Sequence, residues 1–247
     1  MKKNYEWKTL IVIPAYNEQG NIKKIVEEIK EVCPEFDYLV VNDGSNDRTV
    51  KVLKKEQYHY IDLPVNLGLS GAFNVGMQYA KENAYEAVIQ IDADGQHDPK
   101  YIKEMVDEMK TGGWDIVIGS RFLNKKRHKS LRMFGNSLIS TFGKIVTKKT
   151  LTDPTSGMRL YSRRLIREFV RNGHHEPEPH TVVYLMTCGA KVKEIPVTMR
   201  DRTEGESYFN MRKASVYMMK VVISILLLHW YHQIQKKTHP EKELDLV

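Results

Sequence analysis

Two aspartates one residue apart, Asp92 and Asp94, follow a short apolar run, Ala87 to Ile91, and stand in a turn relaxed by Gly95. Alternate residues of an extended segment point the same way, so both carboxylates can approach one divalent ion while water or phosphate oxygens supply its other ligands. Such an ion is a Lewis acid that neutralises charge on a departing phosphate group. An isolated D-x-D is common in solvated turns, and its weight comes from its neighbours. Pro14-Ala-Tyr-Asn-Glu18, Asn42-Asp-Gly-Ser45 and Asn66-Leu-Gly68 are three further polar segments, each after an apolar run. Asp43 suits the edge of a base or ribose, and Ser45 and Asn46 are available to cap the helix that follows. Asn66-Leu-Gly-Leu-Ser-Gly71 allows close backbone approach ahead of a helix N-terminus, whose free N–H groups favour anions. It has neither G-x-G-x-x-G nor Walker A spacing, which argues against dinucleotide oxidoreductases and P-loop NTPases.

The elements that must position these segments alternate in type. Leu10 to Ile13 reads as a strand, and Ile22, Ile25, Val26, Ile29, Val32 and Cys33 recur at helical spacing until Pro34. Strands over Tyr38 to Val41, Tyr58 to Leu63 and Ala87 to Ile91 follow, with helices over Val50 to Lys55, about Ser70 to Asn83, and from Pro99. This alternation implies βαβ units, a mainly parallel sheet and helices on both faces. In such sheets ligands bind outside the carboxyl ends of the strands, where all four polar segments fall.

The second half is less regular. Arg121 to Lys149 holds nine Lys and Arg and no Asp or Glu, more positive charge than the +7 net of the whole 247-residue chain. Within it Leu131, Phe134, Leu138, Ile139, Phe142, Ile145 and Val146 recur at helical spacing, the pattern of a helix at an anionic interface or of a surface helix on a core. Val221 to Leu228 is an unbroken apolar run flanked by Lys220, Trp230 and Tyr231. It is shorter than the roughly 20 residues of a spanning helix, so it docks in a core, on a small membrane-protein partner or at a membrane interface. The acidic strand ends would repel a nucleic-acid backbone, and the basic window lacks an aromatic RNA-binding pattern, so no nucleic-acid partner is expected. Two cysteines without C-x-x-C spacing suggest a reducing compartment. The apolar run behind Lys2 and Lys3 is too short for a signal peptide.

Ile11-Val-Ile-Pro-Ala-Tyr-Asn-Glu18, Val41-Asn-Asp-Gly-Ser-Asn-Asp-Arg-Thr49, Asn66-Leu-Gly68, Gln90-Ile-Asp-Ala-Asp-Gly-Gln-His-Asp-Pro99 and Gly119-Ser-Arg-Phe122 together resemble family 2 glycosyltransferases of the GT-A fold. The subgroup they are similar to is the polyprenyl-phosphate sugar transferases of the dolichol-phosphate mannose synthase type and bacterial relatives that serve wall polysaccharides. The resemblance runs from about residue 8 to residue 210. It implies an α/β, Rossmann-like GT-A sheet, a nucleotide-diphosphate sugar (a UDP-sugar favoured, GDP-mannose the other candidate), Mg2+ or Mn2+, and inversion at the anomeric carbon.

Position by position, the resemblance implies that Pro14, Ala15, Tyr16, Glu18, Asp43, Asn66, Gly68, Asp92 and Ala93 bind the nucleotide sugar, and that Asp92, Asp94 and Gln96 hold the metal and diphosphate. Arg121 matches an arginine near the diphosphate, and Arg132 one that handles acceptor phosphate. Asp153-Pro-Thr-Ser-Gly-Met-Arg159, which contains Ser156, and Glu176-Pro-Glu-Pro-His180 resemble acceptor-side segments. Asp201-Arg-Thr-Glu-Gly-Glu-Ser207 resembles an R-x-x-G-x-S segment that puts Arg202 at the acceptor phosphate, although Tyr208 stands where many relatives have Lys. The expected catalytic set is Asp94, Arg121, Asp153, Glu178 and Arg202, with Arg132, Ser156 and Arg202 at the acceptor phosphate. His174, His175 and His180 read as ordinary loop histidines.

A phosphate monoester is already mostly ionised near neutrality and needs charge screening rather than a base. A hydroxyl acceptor needs a carboxylate to take its proton, for which Asp153 or Glu178 are candidates. Both acceptors thus have candidate residues, and the activity that the resemblance implies is transfer of a sugar to a polyprenyl (undecaprenyl) phosphate, with a hydroxyl of a growing polysaccharide as the alternative acceptor. The expected organisation is a catalytic domain over 1–210, with a nucleotide-sugar half over 1–120 and an acceptor half over 121–210. A docking helix over 211–235 and a flexible tail over 236–247 complete it. The expected location is cytoplasmic, peripheral on the inner face of the cell membrane.

Overall fold

The computed structural model describes residues 7–123, 131–173, 175–200 and 211–238. Among the described residues seven strands form one sheet: β1 (Thr9–Ala15), β2 (Asp37–Asn42), β3 (Tyr60–Asp62), β4 (Ala87–Gln90), β5 (Ile116–Ser120), β6 (Arg159–Ser162) and β7 (Val192–Pro196). The order across the sheet is β3-β2-β1-β4-β6-β5-β7. All pairings are parallel except those of β6, which runs antiparallel between β4 and β5.

The helices are α1 (Ile22–Val32), α2 (Thr49–Lys55), α3 (Gly68–Glu82), α4 (Ile102–Gly112), α5 (Leu131–Thr147), α6 (Arg163–Asn172), α7 (Pro179–Thr187) and α8 (Met211–Thr238). They cover both faces of the sheet, which is why β1 is buried along its whole length and reads as a continuous apolar run. Ile11, Ile13 and Ala15 point into the layer with α1 and α4, while Leu10 and Val12 point into the layer with α3, α6 and α7. That alternation is the period of two of a strand. The strand expected over Tyr58 to Leu63 is shorter. Tyr58 leaves it to donate its hydroxyl to Glu27 at 2.7 Å, tying β3 to α1.

The basic stripe helix exists, and of the apolar stripe's described side chains only Ile139 is fully buried. Gly135, Asn136, Ile139, Ser140 and Gly143 face inward. Asn136 donates to the carbonyl of Thr152 at 2.8 Å and Ser140 donates to the carbonyl of Leu151. Leu138, Phe142 and Val146 are half-buried and Ile145 is exposed, so small and polar groups were chosen where the helix meets a loop.

α8 runs through Thr238, past the expected start of a flexible tail at 236, and 239–247 lie outside the described residues. Val221 and Ile225 of α8 are buried with Ile139 of α5 and Val183 of α7, each apolar side chain contributing about 1.5–3 kcal/mol relative to exposure. Its opposite face exposes Val216, Met219, Ile223, Leu226, Leu227, Trp230 and Tyr231. No described helix is long and apolar enough to cross a membrane.

Candidate active site

The site is built at the carboxyl ends of β1 to β4, where the loops after β1, β2 and β3 are sewn together by backbone and side chain. After β1, the Asn17 N–H donates to Ser45 Oγ at 2.9 Å and Asn17 Oδ1 accepts the Asn46 N–H at 2.9 Å. The Glu18 N–H donates to Thr49 Oγ1 at 2.9 Å, and the Gln19 N–H to Asp47 Oδ2 at 3.1 Å. The carboxylate that receives the first-turn N–H of α2 is Asp47, which accepts from Thr49 N at 2.8 Å. Of the two residues expected to cap that helix, Ser45 accepts from Asn17 with its hydroxyl and Asn46 gives its backbone N–H to Asn17. Pro14 and Ala15 are buried at the end of β1 and Tyr16 is 45% exposed beside them.

Asp43 is buried. Its N–H donates to the carbonyl of Ala15 at 2.8 Å, and its Oδ1 accepts the Leu67 N–H at 2.7 Å. Asn66 Nδ2 donates to the Asp43 carbonyl at 3.2 Å, and Asn66 Oδ1 accepts from Gly68 N. Gly44 sits between these loops at φ 63°, where an added Cβ would lie 2.7 Å from the backbone of Val65 and Asn66. No other residue fits both that dihedral and that approach.

Residues 91–97 are a turn rather than an extended segment, so the alternate-residue argument does not set the two aspartates. Asp92 keeps its side chain 35% exposed, whereas Asp94 and Ala93 are buried. Asp94 Oδ1 accepts the Gln96 N–H at 3.0 Å, and Gln90 Nε2 donates to Asp92 Oδ1 at 2.9 Å. Asp92, Asp94 and Gln96 present hard oxygen donors. No cluster of three or more His, Cys, Asp or Glu that would cage an ion stands among the described residues. An open set of this kind fits Mg2+ or Mn2+, which keep several positions for water and phosphate oxygens.

Arg121 follows β5 and is held by Asp153 from two directions. Its Nε and Nη2 donate to Asp153 at 2.7 Å each and its backbone N–H at 3.0 Å. Asp153 has no exposed surface, and its own N–H and that of Thr152 donate to Glu194 at 2.7 Å. A proton acceptor needs an oxygen that substrate can reach, so the expectation of Asp153 as a base is corrected: it anchors Arg121. Ser156 is also corrected. It is fully buried and donates its hydroxyl to the Gly119 carbonyl at 2.6 Å, which removes it from the acceptor-phosphate set.

Glu178 stands at the N-cap of α7 and accepts a hydrogen bond from the hydroxyl of Tyr217 on α8. Burial, with the Glu178 charge second, pushes the Tyr217 hydroxyl above its ordinary range, so it remains a donor. Arg159, buried in β6, donates to the carbonyls of Pro177 at 2.7 Å and Pro154 at 2.8 Å. One guanidinium thus joins the 153–159 and 176–180 segments. His175 contacts Glu168 at 3.5 Å and His180 contacts Glu176 at 3.8 Å, with burial lowering His180 below the usual imidazole range. Arg132 lies on the first turn of α5; Arg202 and His174 lie outside the described residues. Sequence reasoning missed Gln90, Asp47, Thr49, Arg159 and Glu194. An arginine within an otherwise apolar strand was the signal for Arg159, since a buried guanidinium demands acceptors.

Fold and site together define an α/β protein with a polar rim and two carboxylates outside the carboxyl ends of a mainly parallel sheet. The chain belongs to glycosyl transferase family 2, whose model matches residues 10–170, and it has the GT-A fold of that family. It is similar to the polyprenol monophosphomannose synthase of Mycolicibacterium smegmatis, 26% identical over 227 residues, covering 87% of this chain and 85% of the relative. It is equally similar to the undecaprenyl-phosphate mannosyltransferase of Micrococcus luteus, 26% identical over 215 residues, 81% of this chain and 86% of the relative. Among solved structures it shares the fold of glucosyl-3-phosphoglycerate synthase from Mycobacterium tuberculosis, in complex with Mn2+, UDP-glucose and phosphoglyceric acid. There the TM-score is 0.65 at 17% identity, over 90% of this chain and 79% of that one.

Proposed function

We propose that this glycosyltransferase moves a sugar from a nucleotide diphosphate, a UDP-sugar favoured, onto a polyprenyl phosphate at the inner face of the cell membrane. The observation that carries the reading is the bond from Tyr217 to Glu178, which ties the acceptor-side segment to a helix whose outer face is a row of exposed apolar side chains. Lys220 on that helix, Lys144 on its neighbour α5, and Lys148 and Lys149 just past the end of α5 are exposed, matching an anionic lipid surface. The acceptors in the names of the two mannosyltransferase relatives agree with it.

In this reading Asp92, Asp94 and Gln96 would hold Mg2+ or Mn2+, which neutralises the diphosphate leaving group. Tyr16, Glu18, Asp43 and the Asn66–Gly68 loop bind and orient the nucleotide. Arg121, fixed by Asp153, and Arg202 screen the approach of one anion to another. The acceptor oxygen is already ionised, so no side chain has to remove a proton.

Incubation of the purified enzyme with nucleotide sugars and either undecaprenyl phosphate or an oligosaccharide separates the two acceptor classes; product on the oligosaccharide alone rejects the proposal. Glu178→Gln keeps an acceptor for Tyr217 and is expected to retain transfer within about threefold, measured as kcat with lipid phosphate. A general base at this position would instead cost about 100-fold or more.

Membrane contact is tested without truncation, because deleting α8 would uncover Ile139 and Val183. Leu227→Glu combined with Trp230→Glu changes only exposed positions and is expected to lower sedimentation with anionic vesicles by about tenfold or more. Unchanged sedimentation would remove α8 as the lipid contact and leave its outer face to a small membrane protein.

A further inference from the structure

We propose that His97 is a positioning residue for the metal-binding carboxylate, acting through both the backbone and the side chain of Asp92. The inference rests on the reading of Asp92 as a metal ligand and adds the group that holds it in place. His97 is 3% exposed. Its Nδ1 lies 3.0 Å from the Asp92 backbone nitrogen. An amide N–H can only donate, so Nδ1 is the unprotonated nitrogen and the ring proton sits on Nε2. That Nε2 lies 3.6 Å from Asp92 Oδ2, while Oδ1 receives the Gln90 amide at 2.9 Å.

Both carboxylate oxygens are thus faced by neutral N–H donors from residues two before and five after Asp92. This arrangement fixes the carboxylate's rotation and leaves its charge in place. A ligand carboxylate oriented in this way loses less freedom when the ion arrives, and outer partners of this kind are typically worth about 10–100-fold in metal affinity.

The imidazole is wedged in by the acceptor-side loop. An added Cβ at Gly157 would stand 3.2 Å from Asp92 Oδ2, 3.2 Å from His97 Cε1 and 3.3 Å from His97 Nε2. A side chain at 157 would require the pair to give by a few tenths of an ångström, and the loop that carries Asp153 closes directly on the His97–Asp92 pair.

The test titrates Mn2+ in the presence of UDP, followed by the loss of the free-Mn2+ electron paramagnetic resonance signal, for wild type, His97→Ala and His97→Asn. Thermal midpoints are measured without metal. The Asn side-chain oxygen can replace Nδ1 as acceptor for the Asp92 N–H. His97→Ala is expected to weaken Mn2+ binding about tenfold or more, and His97→Asn to recover most of that loss at a similar thermal midpoint. A folded His97→Ala with wild-type Mn2+ affinity overturns the proposal, as does an Asn variant as weak as the Ala variant. Should His97→Ala fail to fold, wild-type affinity in His97→Asn supports the acceptor role and a tenfold loss there rejects it. Absence of Mn2+ binding by the wild-type protein with UDP would reject the metal reading itself, and this proposal with it.

Discussion

Asp94→Asn is expected to lower sugar transfer about a thousandfold or more while leaving the thermal midpoint near that of the wild type. Asp94 Oδ1 accepts the Gln96 N–H in the turn after β4, and an asparagine oxygen can keep that bond. What asparagine lacks is the charge. Stabilising a leaving diphosphate through a bound ion is worth several kcal/mol, and about 4 kcal/mol corresponds to a factor of roughly a thousand in rate. The measurement is steady-state transfer across a Mn2+ titration, with circular dichroism as the control for folding. Wild-type turnover in a folded Asp94→Asn enzyme would sink the metal assignment.

Asp153→Ala is expected to cost about 3–5 kcal/mol in a chemical denaturation series and to reduce transfer as well. Removing one partner of a buried ion pair leaves the other without compensation, which is the origin of that magnitude. Here the carboxylate is wholly buried and the Arg121 side chain is 21% exposed, so partial hydration of Arg121 pulls the figure toward the lower end. Pairing the change with Arg121→Ala should cost less than the sum of the two single changes, the sign of a coupled pair. A free base at 153 would behave in the opposite way, with kcat falling and stability unchanged in Asp153→Asn.

The first half of the fold was legible because each element there carries a local signal. Leu10 to Ile13 is apolar on both faces, Ile22 to Val32 repeats at helical spacing, and Asn66-Leu-Gly68 marks a turn. Boundaries moved where side chains had tertiary partners, as with Tyr58 and Glu27. The second half was harder to read. β6 is four residues long, contains Arg159 and runs against its neighbours, so no βαβ period announces it. In α5 the buried Asn136 and Ser140 bond the carbonyls of Thr152 and Leu151 in a loop, which no hydrophobic pattern encodes.

The candidate site divides in the same way. Asp92, Asp94, Gln96, Asp43 and Gly44 were visible as turn residues at strand ends, since a parallel sheet delivers those ends to one rim. The roles of Asp153 and Ser156 were not visible, because a carboxylate and a hydroxyl have the same letters whether they face substrate or are consumed by Arg121 and the Gly119 carbonyl.

By itself the sequence determined the family, the order of most strands and helices in the first half, and the rim of polar turns at the strand ends. These depend on local periodicity and on residue types with restricted dihedrals, both properties of neighbours in the chain. The tertiary structure alone decided which polar groups remain free to act. That depends on partners distant in sequence: Asp153 against Arg121, His97 and Gly157 against Asp92, and Tyr217 of the terminal helix against Glu178. A hydrogen bond once given to the fold is not available to a substrate, and only the folded chain shows where each one went.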